Sequence, residues 1–246
     1  TGVQTCALPI SGTTNFYAWE CVAGDLNGDG SPDLVIADVS GVGSAWTNDG
    51  TGRFWYRAQL VNGASWTAAL GDLNGDGTLD TICGDAGTRL YVHTNRGNAN
   101  LVYANQNLAN PSAAGSSVDV AIGDLNGDGH LDALIGFGSA ASKVYTNRGD
   151  GVLVDTGQSL FAYNVGSAEL GDVDGDGDLD AVIVRMGDGT TIWHNDGRAG
   201  FTSNGQLFPN GGSSRGALGD IDGDGDLDIV VSDYSDKIRK IGRAHV

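Results

Sequence analysis

Short apolar runs return along the chain at a nearly constant interval: LVIA from Leu34, TIC from Thr81, ALI from Ala133, AVIV from Ala181 and IVV from Ile229. Each is apolar at consecutive rather than alternate positions, the pattern of a short strand buried on both faces. Each follows directly on a polar stretch of one form: GDLNGDGSPD at Gly24, GDLNGDGTLD at Gly71, GDLNGDGHLD at Gly123, GDVDGDGDLD at Gly171 and GDIDGDGDLD at Gly219. These starts lie 47 to 52 residues apart, a period that marks stacked supersecondary units. A second phrase keeps step: AWTNDGTGRF from Ala45, YVHTNRGNANL from Tyr91, VYTNRGDGVL from Val144 and IWHNDGRAGF from Ile192. In each, an aromatic or β-branched run ends at Asn and a glycine-containing turn, the signal of a hairpin reversal.

One period therefore reads strand, acidic loop, strand, turn, strand, turn, strand. In the fourth unit the strands are expected near 165–170, 181–185, 191–195 and 201–207. No stretch carries a 3.6-residue period flanked by helix caps, and glycine is too frequent for long helices. A four-stranded sheet repeated at this interval hides its two apolar faces against its neighbours when the units stack radially. The expected fold class is therefore all-β, a β-propeller of four-stranded blades.

Composition sharpens this picture. The chain has 246 residues, 40% of them hydrophobic, with 41 glycines, a formal net charge of −18 and a pI near 4.2. No run approaches the 18 consecutive apolar residues of a transmembrane helix. Such acidity excludes binding to nucleic acid through its phosphates, which needs clustered Lys and Arg, and favours hard cations as partners. The two ends, residues 1–10 (TGVQTCALPI) and 241–246 (IGRAHV), read as translated sequencing-adapter DNA, because codons for one encode the other on the opposite strand. They are set aside from the fold, which leaves 11–240 as a partial propeller of five repeats and implies a longer natural reading frame.

The phrase GD-x-[ND]-GDG-x-x-D before an apolar run, paired downstream with N-x-G-x-G-x-F, resembles the FG-GAP/VCBS repeat, the calcium-binding propeller unit of integrin α subunits and many bacterial secreted proteins. The resemblance covers about residues 20 to 236. It implies a seven-bladed ring of which this chain holds about five blades. It also implies one Ca²⁺ per acidic loop, about five in all. Ligands at loop positions 1, 3, 5, 7 (main-chain carbonyl) and 9 are then Asp25, Asn27, Asp29, Ser31 and Asp33; Asp72, Asn74, Asp76, Thr78 and Asp80; and Asp124, Asn126, Asp128, His130 and Asp132. The last two sets are Asp172, Asp174, Asp176, Asp178 and Asp180, and Asp220, Asp222, Asp224, Asp226 and Asp228.

The residues argue the same way. Alternate Asp and Asn deliver the six to eight oxygen ligands that Ca²⁺ takes, and glycine at position 6 permits the sharp turn. An EF-hand needs Glu at position 12, where this chain has Ile36, Cys83, Ile135, Ile183 and Val231. A dockerin carries two copies on helices, not five entering strands, and the RTX nonapeptide does not occur. Nineteen of the 31 acidic residues fall in the five nine-residue loops. Without a cation they would repel at close range, and five Ca²⁺ would bring the charge from −18 to −8.

Little else suggests chemistry. No Gly-x-Ser-x-Gly elbow, HExxH or phosphate-cradling loop is present, so no catalytic residue is assigned. His93, His130 and His194 are expected at the surface or rim. Trp46, Trp55, Tyr56, Trp66 and Trp193 are candidates for a sugar-stacking or protein-binding surface, or for packing within and between blades. Cys21 and Cys83 sit at different repeat positions; buried thiols are expected, with their pairing left open. Two functions follow from the resemblance. One is a secreted or cell-surface, calcium-stabilised binding or adhesion module that recognises protein or glycan; the other is the propeller part of a secreted hydrolase or polysaccharide lyase.

Overall fold

The structure, a computed structural model, describes residues 17–85, 89–108, 117–160, 163–209, 213–233 and 237–243. Residues 1–10 and 244–246 of the segments read as adapter-derived lie outside the described residues, while 241–243 continue the last strand. Nineteen strands and no helix occur among the described residues. The first sheet holds β1 (Ala18–Gly24), β2 (Asp33–Asp38), β3 (Ser44–Asn48) and β4 (Phe54–Gln59). The second holds β5 (Ser65–Gly71), β6 (Asp80–Asp85), β7 (Leu90–Asn95) and β8 (Leu101–Asn107). The third has β9 (Ser117–Gly123), β10 (Asp132–Phe137), β11 (Ser142–Asn147) and β12 (Leu153–Leu160). The fourth has β13 (Val165–Gly171), β14 (Asp180–Arg185), β15 (Gly189–Asn195) and β16 (Phe201–Phe208), and the fifth β17 (Ser213–Gly219), β18 (Asp228–Asp233) and β19 (Lys237–Arg243).

Each sheet is an antiparallel meander in chain order, as one period of the sequence predicts, and the fourth-unit strands match the expected spans to within two residues. The second strands are the buried ones: Leu134, Ile135, Ala181, Val182, Ile183 and Val184 have no exposed surface. The first strands β1, β5, β9, β13 and β17 pack side by side in order, and Arg215 on β17 reaches back to Glu20 on β1 at 3.6 Å. The architecture is that of propeller blades around an axis.

Two features of the repeat are explained by neighbouring blades. The glycine that opens each acidic phrase is kept small by the next blade: a Cβ on Gly71 would stand 2.6 Å from Ile122 Cδ1 and 2.7 Å from Leu131 Cδ1. At Gly219, which no further sheet covers, the same Cβ would meet nothing. Likewise loop position 2 is 1% exposed at Leu26, Leu73 and Leu125 but 59% at Ile221. In the first, third and fourth units the side chain four residues before the glycine also ties blade to blade. Glu20 Oε2 accepts from Ala68 N (3.0 Å), Asp119 Oδ2 from Ala168 N (2.8 Å) and Ser167 Oγ from Gly216 N (2.8 Å).

Of the side chains singled out in the sequence, His93 and Cys21 depart from expectation, while Trp46, Trp66 and Trp193 take the packing roles. His93, expected at the surface, is 5% exposed on the inner strand β7, where desolvation lowers its pKa. Trp46 is buried and donates through Nε1 to Ser44 Oγ, Trp193 packs against the core and Trp66 meets Trp19 edge-on at 4.8 Å. Trp55 and Tyr56 on β4 are exposed. Cys83 is buried as expected but Cys21 is exposed, and no disulfide joins them.

Candidate metal centres

In all five units the glycine before the loop pairs with the position-9 aspartate: Gly24 with Asp33, Gly71 with Asp80, Gly123 with Asp132, Gly171 with Asp180 and Gly219 with Asp228. The acidic loop is thus a hairpin connection between the first and second strands of each blade. Its winding is local chemistry. The position-1 carboxylate lies at the centre and accepts loop amides on both oxygens: in the third loop Asp124 Oδ1 takes Gly127 N (2.8 Å) and Oδ2 takes Gly129 N (2.8 Å). Position 3 accepts from the position-5 amide (Asn126 Oδ1 from Asp128 N, 2.9 Å), and position 5 from the position-7 amide (Asp128 Oδ1 from His130 N, 2.9 Å). Glycine is required where the coil turns left-handed, as at Gly175 (φ 83°) and Gly177 (φ 96°).

Position 9 is different in kind. Asp33, Asp80, Asp132 and Asp180 are wholly buried and Asp228 nearly so. In each of the first four units one oxygen accepts the position-2 amide and the other the amide of the second-phrase Asn, as with Asp132 to Leu125 N (3.0 Å) and Asn147 N (2.7 Å). Burial raises the pKa of these four carboxyls, their amide bonds oppose the shift, and neighbouring loop carboxylates add to it. At the exposed position 5, hydrogen bonds instead lower the pKa of Asp29, chiefly from Ser31 N, and of Asp76, chiefly from the Thr78 hydroxyl.

The second-phrase Asn proves to be more than a turn residue. Asn95, Asn147 and Asn195 are buried and donate through Nδ2 into the preceding blade, to Leu26 O (2.8 Å), Leu73 O (2.6 Å) and Leu125 O (2.9 Å). Each also donates to the position-8 carbonyl of its own loop, Leu79, Leu131 or Leu179. One residue thereby clasps two successive acidic loops.

Among the described residues, ligand atoms of Asp172, Asp174 and Asp176 lie within 4.8 Å of one another, as do those of Asp220, Asp222 and Asp228. In loops 1 and 2 the position-3 residue is Asn, and its amide bridges to position 5 (Asn27 Nδ2 to Asp29 Oδ2, 2.9 Å; Asn74 Nδ2 to Asp76 Oδ2, 3.0 Å). At position 7, the His130 ring and the Asp178 carboxylate lie over the turn glycines Gly149 and Gly197. In the fifth loop Lys240 Nζ stands 2.8 Å from both Asp222 Oδ2 and Asp228 Oδ2. In the fourth, His194, 24% exposed rather than on the rim, brings Nδ1 to 3.0 Å from Asp174 Oδ2 and 3.7 Å from Asp180 Oδ2. These donors are hard oxygens, crowded, and in four loops without a lysine or arginine paired to them among the described residues, so they suit a divalent cation of the calcium kind.

A second polar site lies between the first strands, a cavity of about 360 Å³ whose charged lining is Glu20, Asp119, Glu169 and Arg215. Desolvation pushes Asp119 and Glu169 each up to about 7, against the pull of Arg215.

Comparison with known proteins accords with the geometry. No curated protein matches the chain. Among solved structures, the biofilm matrix protein Bap1 of V. cholerae superposes with a TM-score of 0.58 at 20% identity, over 89% of this chain and 35% of Bap1. BBS1N in complex with ARL6DN superposes with a TM-score of 0.52 at 12% identity, over 94% of this chain and 81% of that one. Likeness at this identity concerns the fold. The FG-GAP-like repeat profile matches four times in overlapping register, at residues 25–83, 72–135, 124–183 and 172–231, each match running from one acidic loop through the next. The chain belongs to the FG-GAP-like repeat family.

Proposed function

We propose that this chain is a calcium-stabilised, non-catalytic extracellular module that binds protein or glycan through the loops of its propeller. One observation carries the reading: five hairpin loops hold oxygen donors already turned inward by their own amides, above a buried carboxylate at position 9. Calcium would be held by positions 1, 3, 5 and 9 and the position-7 carbonyl, one ion per loop. It supplies the positive charge that those carboxylates otherwise lack. Lys240 competes for the fifth loop, which makes that ion the weakest. Loops of this ligand type in extracellular modules bind at roughly 10⁻⁴ to 10⁻³ M, a range filled outside cells, and the fold shared with a biofilm matrix protein is in keeping with such a place. The exposed Trp55 and Tyr56 project from opposite faces of β4, Trp55 under Arg53 at 5.6 Å and Tyr56 edge-on to Trp46 at 5.3 Å, and either ring could meet a sugar or a protein separately. Titration calorimetry tests the metal. The chain should take up about five Ca²⁺ and Asp176→Ala one fewer, each ion contributing about 1 kcal/mol at millimolar calcium. No heat at millimolar calcium would remove the assignment.

The alternative, the propeller part of a secreted hydrolase or polysaccharide lyase, has one observation in its favour: two carboxyls raised to about 7 beside a guanidinium in the axial cavity, as a general acid requires. Asp119, however, is committed to Val120 N and Ala168 N, which gives it a structural task. Glu169 has a simpler expected effect. A carboxyl raised on folding stabilises the fold fully only below its unfolded pKa, and the benefit is lost as the pH rises through about 7. Glu169→Gln should therefore melt above the wild type at pH 8, with the gap closing as the pH falls toward about 4.5. Thermal melts across that range check it.

A further inference from the structure

The fourth loop differs from its siblings at one place in the neighbouring strand. The residue before the second-phrase Asn is Thr47, Thr94 and Thr146 in the first three units and His194 in the fourth, at equivalent register: Thr47 pairs with Trp55, Thr94 with Val102, Thr146 with Val154 and His194 with Thr202. Strand β15 directs the imidazole at the loop. Its Nδ1 has no solvent-accessible surface and no hydrogen-bond partner of acceptable geometry, yet it faces Asp174 Oδ2 at 3.0 Å and Asp180 Oδ2 at 3.7 Å. Asp180 is wholly buried. Three electron-pair donors thus converge on one point, two oxygens and a nitrogen, each within 4.8 Å of the others.

Donor separations of 3.0 and 3.7 Å correspond to angles of roughly 90° and 120° around an ion bonded at about 2.1 Å, the length of first-row metal bonds to nitrogen and oxygen. Calcium takes oxygen ligands at longer range and gains little from imidazole, whereas imidazole with carboxylate suits zinc, cobalt, nickel and iron. We propose that the fourth loop is a mixed oxygen–nitrogen site for a divalent transition-metal ion, held by Asp174, Asp180 and His194 Nδ1. The proposal rests on the reading of the loops as cation sites and assigns one of them a different ion. Asp174 and Asp180 belong to both donor sets, so the transition ion and calcium exclude each other in this loop, and the remaining four loops stay with calcium.

Cobalt(II) is the probe, because its visible bands report a nitrogen ligand. On the calcium-loaded chain, Co²⁺ should bind once, show those bands and release one Ca²⁺. His194→Thr, which restores the residue of the other units, should keep its calcium stoichiometry and its melting temperature. It should also weaken Co²⁺ binding tenfold or more, at roughly the scale of losing a metal-site partner. Asp176→Ala, outside the mixed set, should lose one Ca²⁺ and keep the cobalt bands. Equal cobalt affinity and equal spectra in wild type and His194→Thr would overturn the proposal, as would cobalt uptake without displacement of calcium. Histidine-dependent cobalt binding in a chain that takes no calcium would uphold this site and sink the calcium reading alone.

Discussion

Asp132→Ala is expected to lower the stability of the fold by about 3–5 kcal/mol, roughly 10 °C in melting temperature for a chain of this size. The argument starts from where its carboxylate goes. Asp132 is wholly buried, and its two oxygens accept from two different elements, Leu125 N in the loop and Asn147 N at the end of β11. Alanine leaves both amides buried without an acceptor, and a hydrogen bond to a charged acceptor contributes about 1.5–3 kcal/mol. Asp132→Asn keeps the volume and one oxygen but turns an NH₂ toward the second amide, so roughly half the loss is expected. Melts in chelator and in calcium separate the structural part from the ionic part. The loss in chelator measures the two amides, and the smaller calcium response of the variant measures the ion missing from the third loop. A variant as stable as wild type in chelator would show that position 9 is held by the ion alone.

The frame of this molecule was legible because it is written locally. An acidic phrase, an apolar run and an Asn-Gly turn each fall within a dozen residues, and their recurrence from Gly24 to Gly219 gives the meander of each blade. The winding of the loop about positions 1, 3 and 5 was legible for the same reason, since each of these side chains and the amides it gathers are two to five residues apart. What the sequence hid are the contacts between blades. Glu20, Asp119 and Ser167 differ in size and charge, and nothing in a single period marks them as one joint; they become equivalent only when the next first strand, 48 or 49 residues on, offers its amide. The opening glycine looked like part of the loop but serves the leucines of the following blade. His93 and His194 were misplaced by the same cause. A histidine beside a turn suggests the rim, but β7 and β15 are inner strands whose neighbouring residues point into the blade or under the loop.

The strongest of these hidden joints should also give a large effect when cut. Asn147→Ala removes two donations from Nδ2, to Leu73 O at 2.6 Å and Leu131 O at 3.0 Å, and the acceptance by Oδ1 from Gly149 N and Gly151 N. The residue is buried, so water does not replace these bonds, and a loss of about 3 kcal/mol is expected. Asn147→Asp separates the two halves of the role. A carboxylate still accepts from the glycines but cannot donate, and it sets negative charge against two carbonyl oxygens. It should therefore be no better than alanine and worse at high pH than at low, where its proton restores one donation. The place of the loss matters as much as its size. Stability in a repeat array is a sum of unit and nearest-neighbour terms, and Asn147 belongs to the term between the second and third blades. Weakening that joint should broaden the urea transition or divide it in two, whereas a defect confined to one blade, such as Asp176→Ala, should leave a single step. A sharp, unshifted transition in Asn147→Ala would mean that apolar packing alone couples the blades.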